Sequence, residues 1–235
     1  MKINFLTLFP NYFEPFINES IIKKAQDKDL VSFEVVDFRD FSRNKHRKVD
    51  DEIYGGGHGL LLQVEPIDLA LNSLKDRGGV VVVVSPQGKQ FTQQIASDLA
   101  KHSQITFISG RYEGFDERVI QMADYELSIG DFVLTGGELP SMVMADAIVR
   151  LLPGVIKTES HTYESFQGEL GLLEHPQYSR PRSYTSVSDP SKTYDVPEVL
   201  FSGDHKKIQE WKDQAAWQKT AKNRPDIIER IKNEK

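Results

Sequence analysis

The sequence predicts an α/β protein with a mostly parallel central sheet and helices on both faces. Short apolar segments alternate with segments of helical periodicity from Lys2 to Leu152, as they do in βαβ units. One apolar segment, Val80–Val84, is five valines in a row, which is typical of a strand buried on both faces. The 235 residues are 39% hydrophobic and 27% charged, which is ordinary for a globular protein.

The elements follow one another in a regular order. Strands are predicted over Lys2–Leu8, Ser32–Phe38, Val80–Val84, Ile105–Ser109 and Tyr125–Ile129. Helices are predicted over Asn11–Gln26, Pro66–Lys75, Thr92–Lys101, Glu113–Met122 and Met142–Leu152. The first helix would place Phe13, Phe16 and Ile17 on one side, and Pro153-Gly154 ends the last one.

The character of the chain changes after the last of these helices. Residues 158–171 are polar and lack clear periodicity, so we interpret them as a linker between a domain at 1–157 and a second one at 172–235. The second domain is predicted to be small and mostly helical, with helix over Ser202–Lys235. From His175 to Lys235 there are twelve Lys and Arg against nine Asp and Glu, so this part is basic. Trp211 and Trp217 are interpreted as core residues, with stacking on RNA bases as the alternative.

Three glycine-bearing loops follow predicted strands, at Ser85–Gly88, Gly110–Gly114 and Gly130–Gly137. Ligands of open α/β sheets bind at this edge. Gly130 and the Gly136–Gly137 pair indicate backbone that turns sharply or passes close to a ligand. The last loop runs into a helix start, whose free N–H groups can hold a small ligand, although ordinary turns are the alternative. The usual dinucleotide and P-loop signatures, GxGxxG and GxxxxGK[ST], are missing.

Charge and composition restrict the possible partners, metal sites and location of the protein. The net charge of −6 argues against a nucleic-acid partner, but Arg39–Lys48 carries five cationic side chains against Asp40 alone. This stretch is either a solvated loop or an RNA contact. The acids at 50–52 bind a metal or lie in a solvated loop. The absence of cysteine excludes disulfides and thiolate metal sites. No apolar run approaches a membrane span and no signal peptide is recognised, so we expect a soluble, cytoplasmic protein.

Six motifs occur in a fixed order along nearly the whole chain. They are NKHRKVDD (Asn44–Asp51), YGGGHG (Tyr54–Gly59), VSPQG (Val84–Gly88), GRYEGFDER (Gly110–Arg118), SIGDFVLTGGELP (Ser128–Pro140) and HPQYSRP (His175–Pro181). Together they closely resemble the bacterial tRNA (guanine-N1)-methyltransferases of the SPOUT superfamily. GRYEGFDER and SIGDFVLTGGELP are highly specific, whereas YGGGHG alone would be weak.

The resemblance implies an enzyme that moves a methyl group from S-adenosylmethionine to N1 of the guanosine at position 37 of tRNA. It also implies a trefoil-knotted domain, which general topology rules disfavour, and a homodimer with active sites at the interface. The implied cosubstrate contacts are Ser85, Pro86, Gly110, Tyr112, Glu113, Gly114, Ser128, Ile129, Gly130, Asp131, Phe132, Val133, Leu134, Gly136, Gly137 and Pro140. For Glu113, a helix N-terminal acid is the alternative.

The resemblance assigns catalysis to Glu164 and Arg150. In the family an Asp just before Ser-Phe is the base that removes the N1 proton, and this position is Glu164 here. An Arg that ends the apolar helix assists, and it corresponds to Arg150. The change from Asp to Glu shifts the carboxylate by about one bond, and reactive geometry is sensitive to shifts of about 1 Å. Glu169 is therefore an alternative base. A further alternative is that Glu164 is a solvated acid of the linker without a catalytic role.

The RNA contacts that the resemblance implies are Arg39, His46, Asp50, Arg180 and Arg182, and Lys206, Lys207, Lys212 and Lys219 are further phosphate contacts. Two other functions stay open. One is a protein of the same fold that binds both ligands but has lost turnover through the Asp-to-Glu change. The other is a SPOUT enzyme for a different RNA, against which HPQYSRP and the helical tail argue. No metal-ligand spacing is diagnostic, so a requirement for Mg²⁺ is left undecided.

Overall fold

The computed structural model describes residues 1–157 and 164–233. Contacts between residues divide the chain into two compact units, Met1–Lys157 and Thr158–Lys235. Residues 158–163 of the linker predicted at 158–171 lie outside the described residues. None of the described helices is long and apolar enough to cross a membrane.

The first unit is built on a five-stranded sheet. Its strands are β1 (Lys2–Thr7), β2 (Ser32–Asp37), β5 (Val80–Gln90), β6 (Gln104–Ser109) and β7 (Tyr125–Ser128). They are all parallel, in the order β2-β1-β6-β5-β7. A separate antiparallel pair, β3 (Asp50–Glu52) and β4 (Leu60–Leu62), was not predicted. The predicted α/β class with a mostly parallel sheet is confirmed.

Helices cover both faces of this sheet. They are α1 (Glu14–Asn18), α2 (Ser20–Asp27), α3 (Val64–Ser73), α4 (Gln93–Leu99), α5 (Glu117–Gln121) and α6 (Glu138–Val149). The valines of β5 alternate between two cores: Val82 and Val84 pack with α1, α2, α4 and α6, whereas Val81 and Val83 pack with α3 and α5. The run of valines therefore lies in a strand buried on both sides, because each face has its own helical layer.

The structure corrects three predicted boundaries. The helix predicted over Asn11–Gln26 is two helices, because Glu19 is extended and Ser20 has a φ of 54°. The helix predicted from Glu113 begins at Glu117, because the preceding segment is a turn with a φ of 59° at Tyr112. The turn predicted at Ser85–Gly88 lies inside β5 as a bulge, since Val84 and Lys89 both pair with Leu127.

The second unit contains a hairpin, a 3-10 helix (Glu198–Phe201) and two α-helices among its described residues. The strands are β8 (Ser183–Thr185) and β9 (Thr193–Asp195), and the helices are α7 (His205–Asn223) and α8 (Pro225–Asn233). Trp211 on α7 meets the rings of His175 and Tyr178, each with a centroid distance of 6.4 Å. Trp217 is 37% exposed, so the interpretation of this residue as part of a core is wrong.

Candidate functional site

A cavity of about 260 Å³ opens at the bulge of β5, beside the ends of β6 and β7. Its volume is close to the lower end of the roughly 300–1,000 Å³ that is typical of small-molecule sites. The lining includes most of the predicted cosubstrate residues: Ser85, Pro86, Gly110, Tyr112, Glu113, Gly114, Ser128, Ile129, Phe132, Val133, Leu134, Gly136, Gly137 and Pro140. Gly130 and Asp131 are not part of this lining. The three glycine loops therefore meet at one place, the carboxyl edge of the sheet.

The first loop is the bulge of β5, and it lies directly against β7. A Cβ atom on Gly88 would be 2.5 Å from the backbone nitrogen of Leu127, so no other residue fits without moving the strand. Within the bulge, the backbone N–H of Gln87 donates to Ser85 Oγ at 3.1 Å. This arrangement turns Ser85, Pro86 and Gln87 into one wall of the cavity.

The second loop, Gly110–Gly114, is attached to the β3–β4 pair by backbone hydrogen bonds. The N–H of Glu113 donates to the carbonyl of Leu60 at 3.1 Å, and the N–H of Leu62 donates to that of Gly114 at 2.9 Å. The Glu113 side chain lies on Gly59, where a Cβ atom would be 2.4 Å from its Cγ. Because Glu113 is in this turn and not in α5, its explanation as a helix N-terminal acid is wrong.

The third loop meets the second at the start of α6. The N–H of Gly137 donates to the carbonyl of Gly110 at 2.9 Å, and a Cβ atom on Gly137 would be 2.7 Å from the Gly110 nitrogen. Gly137 has a φ of −84°, so glycine is required here by the close approach of two backbones. Gly130, with a φ of 148°, is the position in this loop that needs glycine for its conformation.

A buried ion pair, which the sequence did not predict, joins the same loops. Glu138 is 1% exposed, its Oε2 lies 2.9 Å from Arg111 Nη2, and its Oε1 accepts from Thr7 Oγ1 at 2.8 Å. Arg111 also donates to the carbonyl of Thr135 at 3.1 Å, and its guanidinium lies over the Phe9 ring at 4.4 Å. Burial acts to lower the pKa of Arg111, but the hydrogen bonds and charges of Glu138 and Tyr12 together outweigh it and hold this pKa above its usual value.

The cavity carries negative charge. Glu113, Glu117 and Glu126 are in its lining, and the cationic Arg111, also in the lining, is neutralised by Glu138. Carboxylates at the wall of a cleft attract a cationic ligand, because the low-dielectric walls concentrate their field. Exposed apolar side chains stand beside them, with Phe132 52% and Leu134 41% exposed. The site can therefore accept a small molecule that has a flat apolar part and a positive charge.

Comparisons with known proteins identify the family. Residues 1–230 match the family described as tRNA (Guanine-1)-methyltransferase TrmD. The chain belongs to this family. A tRNA (guanine-N(1)-)-methyltransferase of Mycoplasmopsis synoviae (strain 53) is 69% identical over 235 residues, which is 100% of both chains. One of Bacillus licheniformis is 50% identical over 234 residues, covering 97% of this chain and 93% of that protein. The resemblance read from the six motifs is confirmed.

Neither of the two residues to which the family resemblance assigns catalysis is in the cavity lining. Arg150 follows the last residue of α6, where its N–H donates to the carbonyl of Asp146 at 3.1 Å. Pro140, which lines the cavity, is on the first turn of α6, and a helix rises about 1.5 Å per residue, so Arg150 lies about 15 Å further along. Glu164 is in the second unit and is partly buried. Within the first unit the structure does not bring Arg150 to the cavity.

The basic stretch of this family member is largely paired with acids. Arg47 pairs with Asp40, Arg43 with Glu65 at 2.9 Å, and Lys48 with Asp51 at 3.7 Å. Arg39 lies in a 3-10 helix (Phe38–Phe41), His46 is exposed in a turn, and Asp50 pairs with Leu62 in the β3–β4 ladder. In the second unit Arg180 and Arg182 are exposed. In the described parts of the chain, no group of three His, Cys, Asp or Glu residues could hold a metal ion.

Proposed function

We propose that the chain methylates N1 of the guanosine at position 37 of tRNA, next to the anticodon, with S-adenosylmethionine as methyl donor. The family match over residues 1–230 carries the proposal, and the single cavity formed by the three glycine loops supports it. The relatives at 69% and 50% identity are named tRNA (guanine-N(1)-)-methyltransferases. Since tRNA is the substrate, the proposal places the enzyme in the cytoplasm.

The cavity suits this methyl donor. When bound, S-adenosylmethionine supplies an electrophilic methyl group on a positively charged sulfur. The backbone around Ile129, Gly130 and Gly136 and the side chains of Tyr112, Phe132 and Leu134 would hold its adenosine, and the carboxylates Glu113, Glu117 and Glu126 favour its positive charges. Asp131, which stands between Gly130 and Phe132 in the sequence, is also a proposed contact of the methyl donor. Mg²⁺ is not required by this arrangement and is varied in the test below.

The chemistry needs alignment and the removal of one proton. N1 of guanine carries a proton at neutral pH, and in the proposal the carboxylate of Glu164 accepts it. The N1 electron pair then forms the bond to the methyl carbon, while the C–S bond breaks and its electron pair stays on sulfur. Negative charge develops toward O6 of guanine, and Arg150 stabilises it. Holding N1 and the methyl group in line supplies much of the acceleration.

The proposal includes a homodimer, and α6 supports it. Leu139, Val143, Asp146 and Arg150 recur every three to four residues and therefore share one face of the helix. Leu139 and Val143 are each 52% exposed, which leaves an apolar surface beside the cavity. In a two-fold dimer packed on this face, antiparallel helices bring Arg150 of each subunit toward the other's cavity.

The fold and the RNA contacts complete the proposal. The trefoil knot of the superfamily belongs to it, and the family match over residues 1–230 supports this part of the proposal. Residues 172–235 form the tRNA-binding domain, joined to the first domain through a linker at 158–171. The proposed RNA contacts are Arg39, His46, Asp50, Arg180 and Arg182, with Lys206, Lys207, Lys212 and Lys219 at phosphates.

Methyl transfer to two transcripts tests this function. We expect an unmodified tRNA with guanosine 37 to gain one methyl group, recovered as N1-methylguanosine after digestion to nucleosides, and the same tRNA with adenosine 37 to gain none. Parallel reactions with Mg²⁺ and with a chelator decide whether the metal is needed. If the chain binds both ligands without methylating either transcript, it is a binding protein of this fold. A methyl group at another nucleotide would identify an enzyme for a different target.

Mixed dimers test the shared active site. Arg150→Ala and Gly137→Val are each expected to inactivate the homodimer, the first at the reacting guanine and the second because a side chain at Gly137 would push against the backbone of Gly110 and distort the cavity wall. Coexpressed under two affinity tags and purified through both, the mixed dimer should regain up to about half of the wild-type rate, because one of its two sites is then complete. A mixed dimer as inactive as its parents would show that Arg150 acts within its own subunit.

A further inference from the structure

The hairpin of the second unit presents two tyrosines side by side. In the β8–β9 ladder Tyr184 is directly opposite Tyr194, and directly opposed residues of an antiparallel pair point to the same face. Their Cβ atoms are therefore about 5 Å apart. Tyr184 is 51% exposed and Tyr194 is 60% exposed. Neither ring is buried in a core, so packing does not explain the pair.

A cationic side chain lies beyond each tyrosine on the same face. Arg182 is two residues before Tyr184, and Lys192 is two residues before Tyr194, so alternation along the strands places all four side chains on one side. The pairing continues at both positions, because Val196 N donates to the Arg182 carbonyl and Ser186 N donates to the Lys192 carbonyl, each at 2.9 Å. We call Arg182, Tyr184, Lys192 and Tyr194 the aromatic face of the hairpin.

The other side of the same hairpin is chemically different. It carries Ser183, Thr185, Thr193 and Asp195, and the hydroxyl oxygens of the two threonines are 3.3 Å apart. Small polar side chains and one acid thus stand behind two aromatic rings and two cations. This difference between the faces is expected of a surface that contacts a partner from one side only.

Arg182 is held in place at the edge of the aromatic face. Its guanidinium lies over the Phe201 ring at 4.4 Å, and Phe201 itself is 40% exposed. Stacking on an aromatic ring restricts the side chain while its N–H groups stay available to an acceptor. Lys192, at the other end, is 3.2 Å from Asp189 in an exposed pair, which solvent screens.

We propose that the aromatic face is a stacking surface for unpaired bases of the RNA substrate, with Arg182 and Lys192 at the flanking phosphates. The proposal rests on the proposed function, and it names a part of the chain that would contact single-stranded nucleotides. Aromatic side chains stack on any base, and cations beside them follow the backbone. A second copy of the chain fits less well, since a two-fold contact sets the same patch against itself and would oppose like charges.

Tyrosine variants of the full chain test the stacking surface. In Tyr184→Ala/Tyr194→Ala, we expect affinity for an unmodified tRNA transcript to fall by about tenfold or more, because stacking is lost at two positions. Tyr184→Phe/Tyr194→Phe should bind like wild type, because the rings remain. The matched control is Thr185→Ala/Thr193→Ala on the opposite side, which should also bind like wild type. S-adenosylmethionine affinity, measured by calorimetry, should be unchanged in all three.

Ultraviolet crosslinking gives an independent readout on the wild-type protein. Crosslinks to tRNA, mapped by mass spectrometry, are expected at Tyr184 or Tyr194. Wild-type affinity in the alanine pair, an equal loss in the phenylalanine pair, or an altered oligomeric state with unchanged RNA binding would each overturn the proposal. If the alanine pair fails to fold, absence of crosslinks at both tyrosines would overturn it. A wild-type protein that methylates tRNA while the alanine pair binds normally rejects this inference alone, whereas inactive wild type rejects the proposed function.

Discussion

Glu164→Gln is expected to lower the single-turnover rate of methyl transfer by about 10²–10⁴-fold, which is the usual contribution of a positioned general base. The amide cannot accept the N1 proton of guanine, although it nearly matches the carboxylate in size. S-adenosylmethionine affinity should be unchanged, because the proposed partner of the Glu164 carboxylate is the guanosine and not the methyl donor. The measurement is rapid-quench methylation with enzyme in excess over tRNA, together with calorimetry for the methyl donor.

Two further variants decide between the acids near this position. Glu169→Gln is the matched control, because it removes a carboxylate five residues away, on an exposed residue of the same segment. Glu164→Asp restores the family's residue and should keep most of the rate. If Glu169→Gln loses activity while Glu164→Gln does not, Glu169 is the base. If neither changes the rate, the assignment of the base to this segment is wrong.

The sheet was predictable because its strands are buried on both sides. Val80–Val84 is apolar throughout for the physical reason that Val81 and Val83 face one helical layer while Val82 and Val84 face the other. The break between α1 and α2 was not predictable from periodicity. Phe13 on one side of it and Ile22 on the other reach the same core, so the apolar pattern continues through a single extended residue, Glu19.

The cavity was predictable in outline, since glycine-rich segments after parallel strands mark the edge at which ligands bind. The sequence indicated that these glycines allow a sharp turn of the backbone or a close approach to a ligand, and this reason was only partly correct. Gly130 has a positive φ, but Gly88 and Gly137 are needed because backbones from other parts of the chain pass within the space of a Cβ atom. Such contacts join segments distant in sequence, and a single sequence contains no local signal for them.

The same limit explains why the Arg111–Glu138 pair was missed. The two residues are 27 positions apart, and Arg111 stands in one glycine loop while Glu138 directly follows another, where charged residues are expected to be solvated. A signal was nevertheless present: Glu138 begins a helix of mostly apolar residues that is packed into the core, and a buried acid needs a cationic partner. Arg111, in the other specific motif, is that partner.

Arg111→Met is expected to lower the free energy of unfolding by about 3–5 kcal/mol, because it leaves the carboxylate of Glu138 buried without its cation. Arg111→Met/Glu138→Leu should recover most of this loss, since replacing both members of a buried pair with apolar residues is often neutral. The matched control is Arg118→Met. Arg118 pairs with Asp116 at 2.6 Å but its side chain is 63% exposed, so a much smaller change than in Arg111→Met is expected, because solvent screens the pair. Chemical denaturation measures all three.

A measurement of ligand affinity distinguishes the effect of the Arg111–Glu138 pair on folding stability from its effect on the shape of the cavity. Arg111 donates to the carbonyl of Thr135 and lies against Gly136, so it fastens the third loop to the second. The double variant removes this attachment even where it restores stability, because neither Met nor Leu can donate to the carbonyl. We therefore expect S-adenosylmethionine to bind the double variant about tenfold or more weakly, the order of a lost hydrogen bond to a charged group. A double variant that regains affinity along with stability would show that the pair supports the fold alone.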